Sequence, residues 1–450
     1  MRRYLVLLPV VLCVSVVSMI FLGGCQESLI PTPYVAYGEA GVAAFERVPE
    51  RLRTTDIPVL YVTDRAAPTS SERGPEYTYA RSPVIDFGEA TVSLDTDATW
   101  ADLVRDSTGA RREHSYHPRV SRIERRGEIQ PVMKHLVVQD GRFAPAPGAV
   151  EAFQKEFEPF DRLLDTYLDA TDRKEVVLFI HGYNNTFDSA VLRLAQAWHF
   201  CARQGVPIVY TWPAGSGGLR GYAYDRESGE YTIVHLKVLL AALARNPKVE
   251  KVHIISHSRG TDVAVTALRE LHAECRGILR NGVLSQVFGK APEMTGPGER
   301  PLATRDILKL ETLILAAPDL DLDVFVQRFF GENLLAAAQR TAIYFSEEDE
   351  AIGLADWLFR SRRRLGALQL ADLTPENRAL LAQVEHLQLI NCKVTGATSH
   401  SYILQHPSAL SDLILLLREQ RPPGAACGRP LAVPFPGVWE MDNTYLRPTP

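Results

Sequence analysis

The sequence predicts an α/β fold, a mostly parallel central sheet with helices on both faces. Two observations predict it. From residue 171 onward, short apolar runs alternate with helical patterns, the order that builds right-handed strand–helix–strand units. The runs are continuously apolar, as strands buried on both faces must be. The chain has 450 residues, 46% hydrophobic and 23% charged, which excludes a disordered protein. No internal period recurs, which argues against a solenoid or propeller. The 49 Lys+Arg and 54 Asp+Glu leave a net charge of −5, so no basic excess exists to neutralise a nucleic-acid backbone.

At the N-terminus, Arg2 and Arg3 precede an uncharged stretch over 4–22 and then Leu22-Gly-Gly-Cys25. A positive start, an apolar run and small residues describe a secretory signal. The run is also about the 20 residues that span a bilayer, so an uncleaved anchor is the alternative. The ending resembles a bacterial lipobox. That resemblance implies removal of 1–24, lipid on Cys25, and stable anchoring by more than one acyl chain. Similarity to Gram-negative lipoproteins, with Gln26 in place of Asp, implies the outer membrane, facing the periplasm. Either reading keeps the positive end cytoplasmic and the rest outside. In an oxidising compartment Cys201, Cys275, Cys392 and Cys427 allow three pairings, and buried free thiols are the equal alternative. No Cys or His spacing marks a metal site.

Residues 25–55 read as a tether. Residues 56–170 form an N-terminal extension with strands at 56–64, 90–94 and 133–139, no assigned element over 101–130, and an amphipathic helix over 148–169. Residues 171–419 form the catalytic domain. Its strands are 176–180, 207–212, 252–256, 313–317, 342–345 and 387–391. Helices follow residue 187, with Gly205 past the end, and span 231–245, 260–274 and 408–419. Residues 275–311 are an insertion, read as surface loop or alternatively as a lid. Residues 420–450 are Pro-rich and read as an irregular tail.

Open α/β sheets place chemistry at the carboxyl ends of their strands. The strand 252–256 runs into Ser256-His-Ser-Arg-Gly260 and a helix, a variant of the G-x-S-x-G nucleophile elbow with Ser258 as nucleophile. Small residues two positions either side are needed because the strained turn has no room for larger ones. The strand 176–180 ends in His181-Gly-Tyr183. An oxyanion hole needs two N–H donors, here the backbones of Tyr183 and Arg259, and Gly182 allows close approach. The rings of His181, His253 and His257 read as structural. With the chain order Ser, acid, His, the base is His400, after the final strand. His386 lies at the wrong end of its strand, and His406 starts the last helix. The acid is Asp349, with Asp319 as rival and Glu348 third.

Several segments carry a family resemblance. Phe179-Ile-His-Gly-Tyr-Asn-Asn-Thr-Phe-Asp188, Tyr210-Thr-Trp-Pro213, Ile254-Ile-Ser-His-Ser258, Leu315-Ala-Ala-Pro-Asp319, Tyr344-Phe-Ser-Glu-Glu-Asp349 and His400-Ser-Tyr402 resemble a family of bacterial α/β-hydrolases of unassigned substrate. Leu60-Tyr-Val-Thr-Asp-Arg65 and Phe87-Gly-Glu-Ala-Thr-Val92 resemble its N-terminal strands. The resemblance covers about 56–416. It implies an α/β-hydrolase fold with Ser258, Asp349 and His400 as triad. Where the family has Met after the nucleophile and Asn past the Gly, this chain has Arg259 and Thr261.

The expected function is a lipid-anchored serine hydrolase of the cell envelope. It would cleave an ester or thioester of a small-molecule or lipid substrate through an acyl-enzyme on Ser258, without metal or cofactor. The alternative is a hydrolase-like envelope binding protein whose triad is unused, since fold does not fix function.

Overall fold

Among the described residues, eleven strands join in one sheet. The computed structural model describes residues 28–130, 136–139, 141–215, 217–277, 283–288, 302–349, 364–394 and 400–448. The signal, Cys25, residues 133–135, and residues 278–282 and 289–301 of the 275–311 insertion lie outside them. In chain order the sheet strands are β1 (Asp56–Arg65), β2 (Arg81–Ser93), β3 (Arg119–Ile129), β4 (Glu175–Ile180), β5 (Val206–Thr211), β6 (Lys251–His257), β7 (Leu310–Ala316), β8 (Arg340–Phe345), β9 (Leu387–Lys393), β10 (Ala432–Phe435) and β11 (Val438–Asp442). Their spatial order is β10-β11-β9-β8-β7-β6-β4-β5-β1-β2-β3. Every neighbouring pair from β1 to β11 is parallel, and the antiparallel pairs are β1/β2, β2/β3 and β10/β11.

The strand period of two sends successive side chains to opposite faces. Leu178, Ile180, Ile254, Leu313, Ile343 and Leu389 share one core, while Phe179, Ile255, Ile314, Tyr344 and Ile390 share the other. Helices α1 (Gly38–Glu46), α2 (Trp100–Thr108), α3 (Ala149–Glu156), α4 (Glu158–Asp169), α5 (Phe187–Phe200), α6 (Gly218–Arg245), α7 (Gly260–Cys275) and α8 (Pro407–Leu417) accompany the sheet. The first core takes Leu164 of α4, Leu236 of α6 and Leu268 of α7, and the second takes Trp198 of α5 and Leu413 of α8. Side-chain caps start α5 and α2: Thr186 accepts the Ser189 N–H, and Thr99 and Asp102 form a reciprocal capping box.

The structure departs from the sequence reading at four places. Residues 25–55 are not a loose tether where described, because Leu29, Phe45 and Val48 are buried in the second core. Residues 101–130 do form regular structure, most of α2 and all of β3. The dense Arg and Glu of β3 hide a strand whose Val120, Ile123 and Ile129 alone point inward, as suits an edge strand that must not recruit others. The stretch 420–450 is not an irregular tail, since β10 and β11 extend the sheet. It is tied down by Arg429, which grips Asp412 through Nε at 2.8 Å and Nη2 at 2.7 Å in full burial. The helix expected over 148–169 is interrupted at Phe157, giving α3 and α4. Cys201, Cys275 and Cys392 are buried and Cys427 is exposed, all as free thiols, so the pairing question has no disulfide answer. Among the described residues no helix is long and apolar enough to cross a membrane.

Candidate active site

The chain crosses the sheet in two directions from β4. It steps outward to β5, then returns to β6 on the other side. Such a reversal opens a crevice at the strands' carboxyl ends, where open α/β sheets bind ligands. The ends of β4 and β6 carry His181-Gly182-Tyr183 and Ser258.

Ser258 has φ +53°, the left-handed region that a side chain makes unfavourable by about 1–3 kcal/mol. Fixed bonds impose it. The Ser258 N–H donates to Ala316 at 2.9 Å, and its carbonyl accepts from the N–H groups of Thr261 at 3.0 Å and Asp319 at 3.2 Å. The Thr261 hydroxyl adds a third donor at 2.6 Å, which fastens the elbow. Small neighbours are required. A Cβ on Gly260 would run into the His181 carbonyl, and the Ser256 hydroxyl turns away to the Ile314 carbonyl at 3.1 Å. A Cβ on Gly182 would lie 2.6 Å from the Ser258 Cβ and 3.2 Å from its Oγ, so this backbone passes directly over the serine.

His400 stands beside the elbow. The His257 Nε2–H donates to the His400 carbonyl at 3.0 Å, and the two rings lie 4.9 Å apart. His400 Nδ1 is 2.9 Å from Asp349 Oδ2, whose side chain is fully buried. A carboxylate only accepts, so Nδ1 carries the proton and Nε2 keeps a lone pair. Arg193 of α5 holds the next residue, Ser401, through its hydroxyl at 3.1 Å. Burial, first of all, and then the neighbouring His400 ring hold the His257 pKa well below the ordinary histidine value, which suits a neutral support.

Asp319 serves elsewhere. Its Oδ2 accepts the Tyr222 hydroxyl at 2.6 Å and its Oδ1 faces the Arg364 guanidinium at 2.9 Å. Glu348 is exposed, and its N–H turns to the Ser346 hydroxyl at 3.4 Å. His406 caps α8 by accepting the Ser408 N–H at 3.2 Å, His253 pairs with Glu175 at 3.3 Å, and the His386 carbonyl accepts the Thr341 N–H at the far end of β9. Arg259 is buried with its guanidinium on Asp262 at 3.0 Å, and Asp262 is shared with Arg328 at 3.0 Å. Burial opposes that charge, but Asp262 and Asp319 outweigh it, and the pKa ends above the ordinary value. The Arg259 and Tyr183 N–H groups donate to no acceptor among the described residues.

Other residues shape the site without a sequence motif. Asp225 of α6 accepts the Asn184 N–H at 2.9 Å and the Gly215 N–H at 3.3 Å, tying together the loops after β4 and β5. The Trp212 indole donates to the His181 carbonyl at 2.8 Å and stacks on its ring at 5.1 Å. The acidic residue Asp225 within a Gly-rich stretch was the available signal, but nothing local distinguishes it from a solvated charge. Among the described residues no cluster of His, Cys, Asp or Glu could hold a metal ion.

A mostly parallel sheet whose serine elbow follows β6 and whose buried Asp–His couple follows β8 and β9 defines the α/β-hydrolase class. The chain belongs to the family described as Alpha/beta hydrolase of unknown function (DUF900), whose model matches residues 158–419. Comparison with curated proteins and with solved structures returns no match.

Proposed function

We propose that this chain is a serine hydrolase that cleaves an ester or thioester through an acyl-enzyme on Ser258. The observation that carries the reading is the Asp349–His400 couple bonded, through His257, to an elbow that holds Ser258 at φ +53°. The Ser258 Oγ attacks the acyl carbonyl as His400 Nε2 takes its proton. Asp349 stabilises the imidazolium and fixes its tautomer. Charge develops on the carbonyl oxygen, where the N–H groups of Arg259 and Tyr183 receive it. The tetrahedral adduct collapses, the leaving alcohol or thiol takes the proton from His400, and the acyl group stays on Ser258. Water, deprotonated by His400, attacks the acyl-enzyme, and the acid product departs as Ser258 regains its proton.

A fluorophosphonate probe tests this reading. Labelling of the wild type, absent in Ser258→Ala, is expected, and a wild type that resists the probe while folded overturns it. We further propose that the enzyme is held at the cell envelope by lipid on Cys25, in the outer membrane and facing the periplasm. The support is the Leu22-Gly-Gly-Cys25 ending after an apolar run. A clickable fatty acid should label wild type and not Cys25→Ser, and equal labelling of both removes the anchor.

A further inference from the structure

One buried cation has no role in the steps above. Arg65 ends β1 and is 2% exposed. A guanidinium has five N–H donors, and all of them find acceptors here. Nε donates to the Thr211 hydroxyl at 2.6 Å. Nη1 donates to the carbonyls of Ala214 at 2.7 Å and Thr78 at 3.1 Å. Nη2 donates to the Asn185 carbonyl at 2.8 Å and to His181 Nε2 at 3.2 Å. Two of these partners, His181 and Asn185, flank Gly182-Tyr183, the backbone that crosses Ser258.

The bond to His181 has a consequence one step further on. Arg65 can only donate, so His181 Nε2 must accept, and the ring's single proton sits on Nδ1. That Nδ1–H donates to the Gly182 carbonyl at 2.9 Å, which the Asn185 amide also reaches at 3.3 Å. A trans peptide is planar, so its C=O and N–H point in opposite directions. A Gly182 carbonyl pinned toward the His181 ring turns the Tyr183 N–H away from it. Burial, then the Arg65 charge, hold the His181 pKa well below the ordinary value, so the ring stays neutral and the proton stays where the chain needs it. Burial lowers Arg65 itself only to about 10, so it remains charged at neutral pH.

We propose that Arg65 is a positioning residue which, by fixing the Nδ1–H tautomer of His181 and the Asn185 turn, aims the Tyr183 N–H at the acyl oxygen of a substrate on Ser258. The inference rests on the acyl-transfer reading above. It makes the N-terminal strand part of the working site, although the family match begins only at residue 158.

The test uses the full chain and counts active sites by fluorophosphonate titration, so that rates refer to folded enzyme. Lys offers three donors and no planar fork, so Arg65→Lys should lose about 10–100-fold in kcat per titrated site with KM within about 2-fold. That range lies at or below the 10²–10³ that removal of one oxyanion donor costs. Unchanged kcat per titrated site overturns the proposal. Should Arg65→Lys fail to fold, a second pair decides. His181→Asn keeps a donor near the Nδ1 position and His181→Leu does not, so Asn should stay within about 10-fold of wild type and Leu should fall about 100-fold. Equal per-site rates for the two overturn it. A measurement independent of turnover is the ¹⁵N spectrum of the wild-type imidazoles, with the His181 signal assigned by its loss in His181→Asn. The Nδ1–H form is expected, and the Nε2–H form overturns the proposal even if Ser258 is labelled. Absence of labelling in the wild type removes the acyl-transfer reading and this inference with it.

Discussion

Replacing Asp349 and Asp319 in turn by Asn tells the two candidate acids apart. The Asp349 side chain has no exposed surface and meets His400 Nδ1 at 2.9 Å. An amide in its place presents either a weaker acceptor or an N–H donor to Nδ1. In the second case the imidazole proton moves to Nε2, and the nitrogen that must accept the Ser258 proton is already filled. Loss of a triad acid by this route lowers kcat by about 10⁴, or about 5.4 kcal/mol of barrier at 1.36 kcal/mol per tenfold. Asp319→Asn acts differently. It meets Tyr222 and Arg364 and not His400, and the Arg364 side chain is only 9% exposed. Removing the carboxylate charge takes a close counter-charge from a nearly buried cation, a loss of up to about 3–5 kcal/mol of stability. The measurements are kcat on a p-nitrophenyl ester, the titrated site fraction, and the urea midpoint of both variants. Asp349→Asn should fold with its midpoint near wild type and turn over about 10⁴-fold more slowly. Asp319→Asn should unfold earlier and keep most of its rate per site. A folded but inactive Asp319→Asn beside a normally active Asp349→Asn refutes the assignment.

Three further outcomes are expected. Gly182→Ala should slow fluorophosphonate labelling at least about 100-fold, because its Cβ would stand 2.6 Å from the Ser258 Cβ; wild-type labelling would mean the loop does not cross the serine. Asp412→Asn should lower stability by about 3–5 kcal/mol, since Arg429, fully buried, loses its paired charge; a urea midpoint shift worth under about 1 kcal/mol refutes this. His181, His199 and His257 are buried with pKa values held well below 6.5, so the unfolded chain binds more protons than the folded one as pH drops below about 6.5. Stability should therefore fall toward acid by up to about 1.4 kcal/mol per pH unit for each ring, and urea midpoints that stay flat from pH 7.5 to 5.5 contradict it.

What could be read from the sequence follows from how local each requirement is. The elbow is local: the small residues Ser256 and Gly260 and the apolar strand before them are all within a few positions of Ser258. Asp349 and His400 are distant in sequence, but each sits in the loop after an apolar strand, so strand order alone brings them to one end of the sheet. Helix α6 was shorter in the sequence pattern because Gly218, Gly221 and Gly229 oppose helix formation. Tertiary bonds override them there, from Tyr222 to Asp319 and from Asp225 to the loops after β4 and β5. Arg65 was invisible as a site residue for the opposite reason to Ser258. Its key partner, His181, lies 116 positions away, and no spacing rule joins the end of an N-terminal strand to a loop so distant in sequence. A physical signal was nevertheless present. An arginine ending a strand of buried apolar residues cannot stay charged without acceptors, and at a strand's carboxyl end the acceptors left unpaired by the sheet are those of the loops. A buried arginine at that position must therefore be bonded to the loops that build the site, and here those bonds fall on both sides of Gly182.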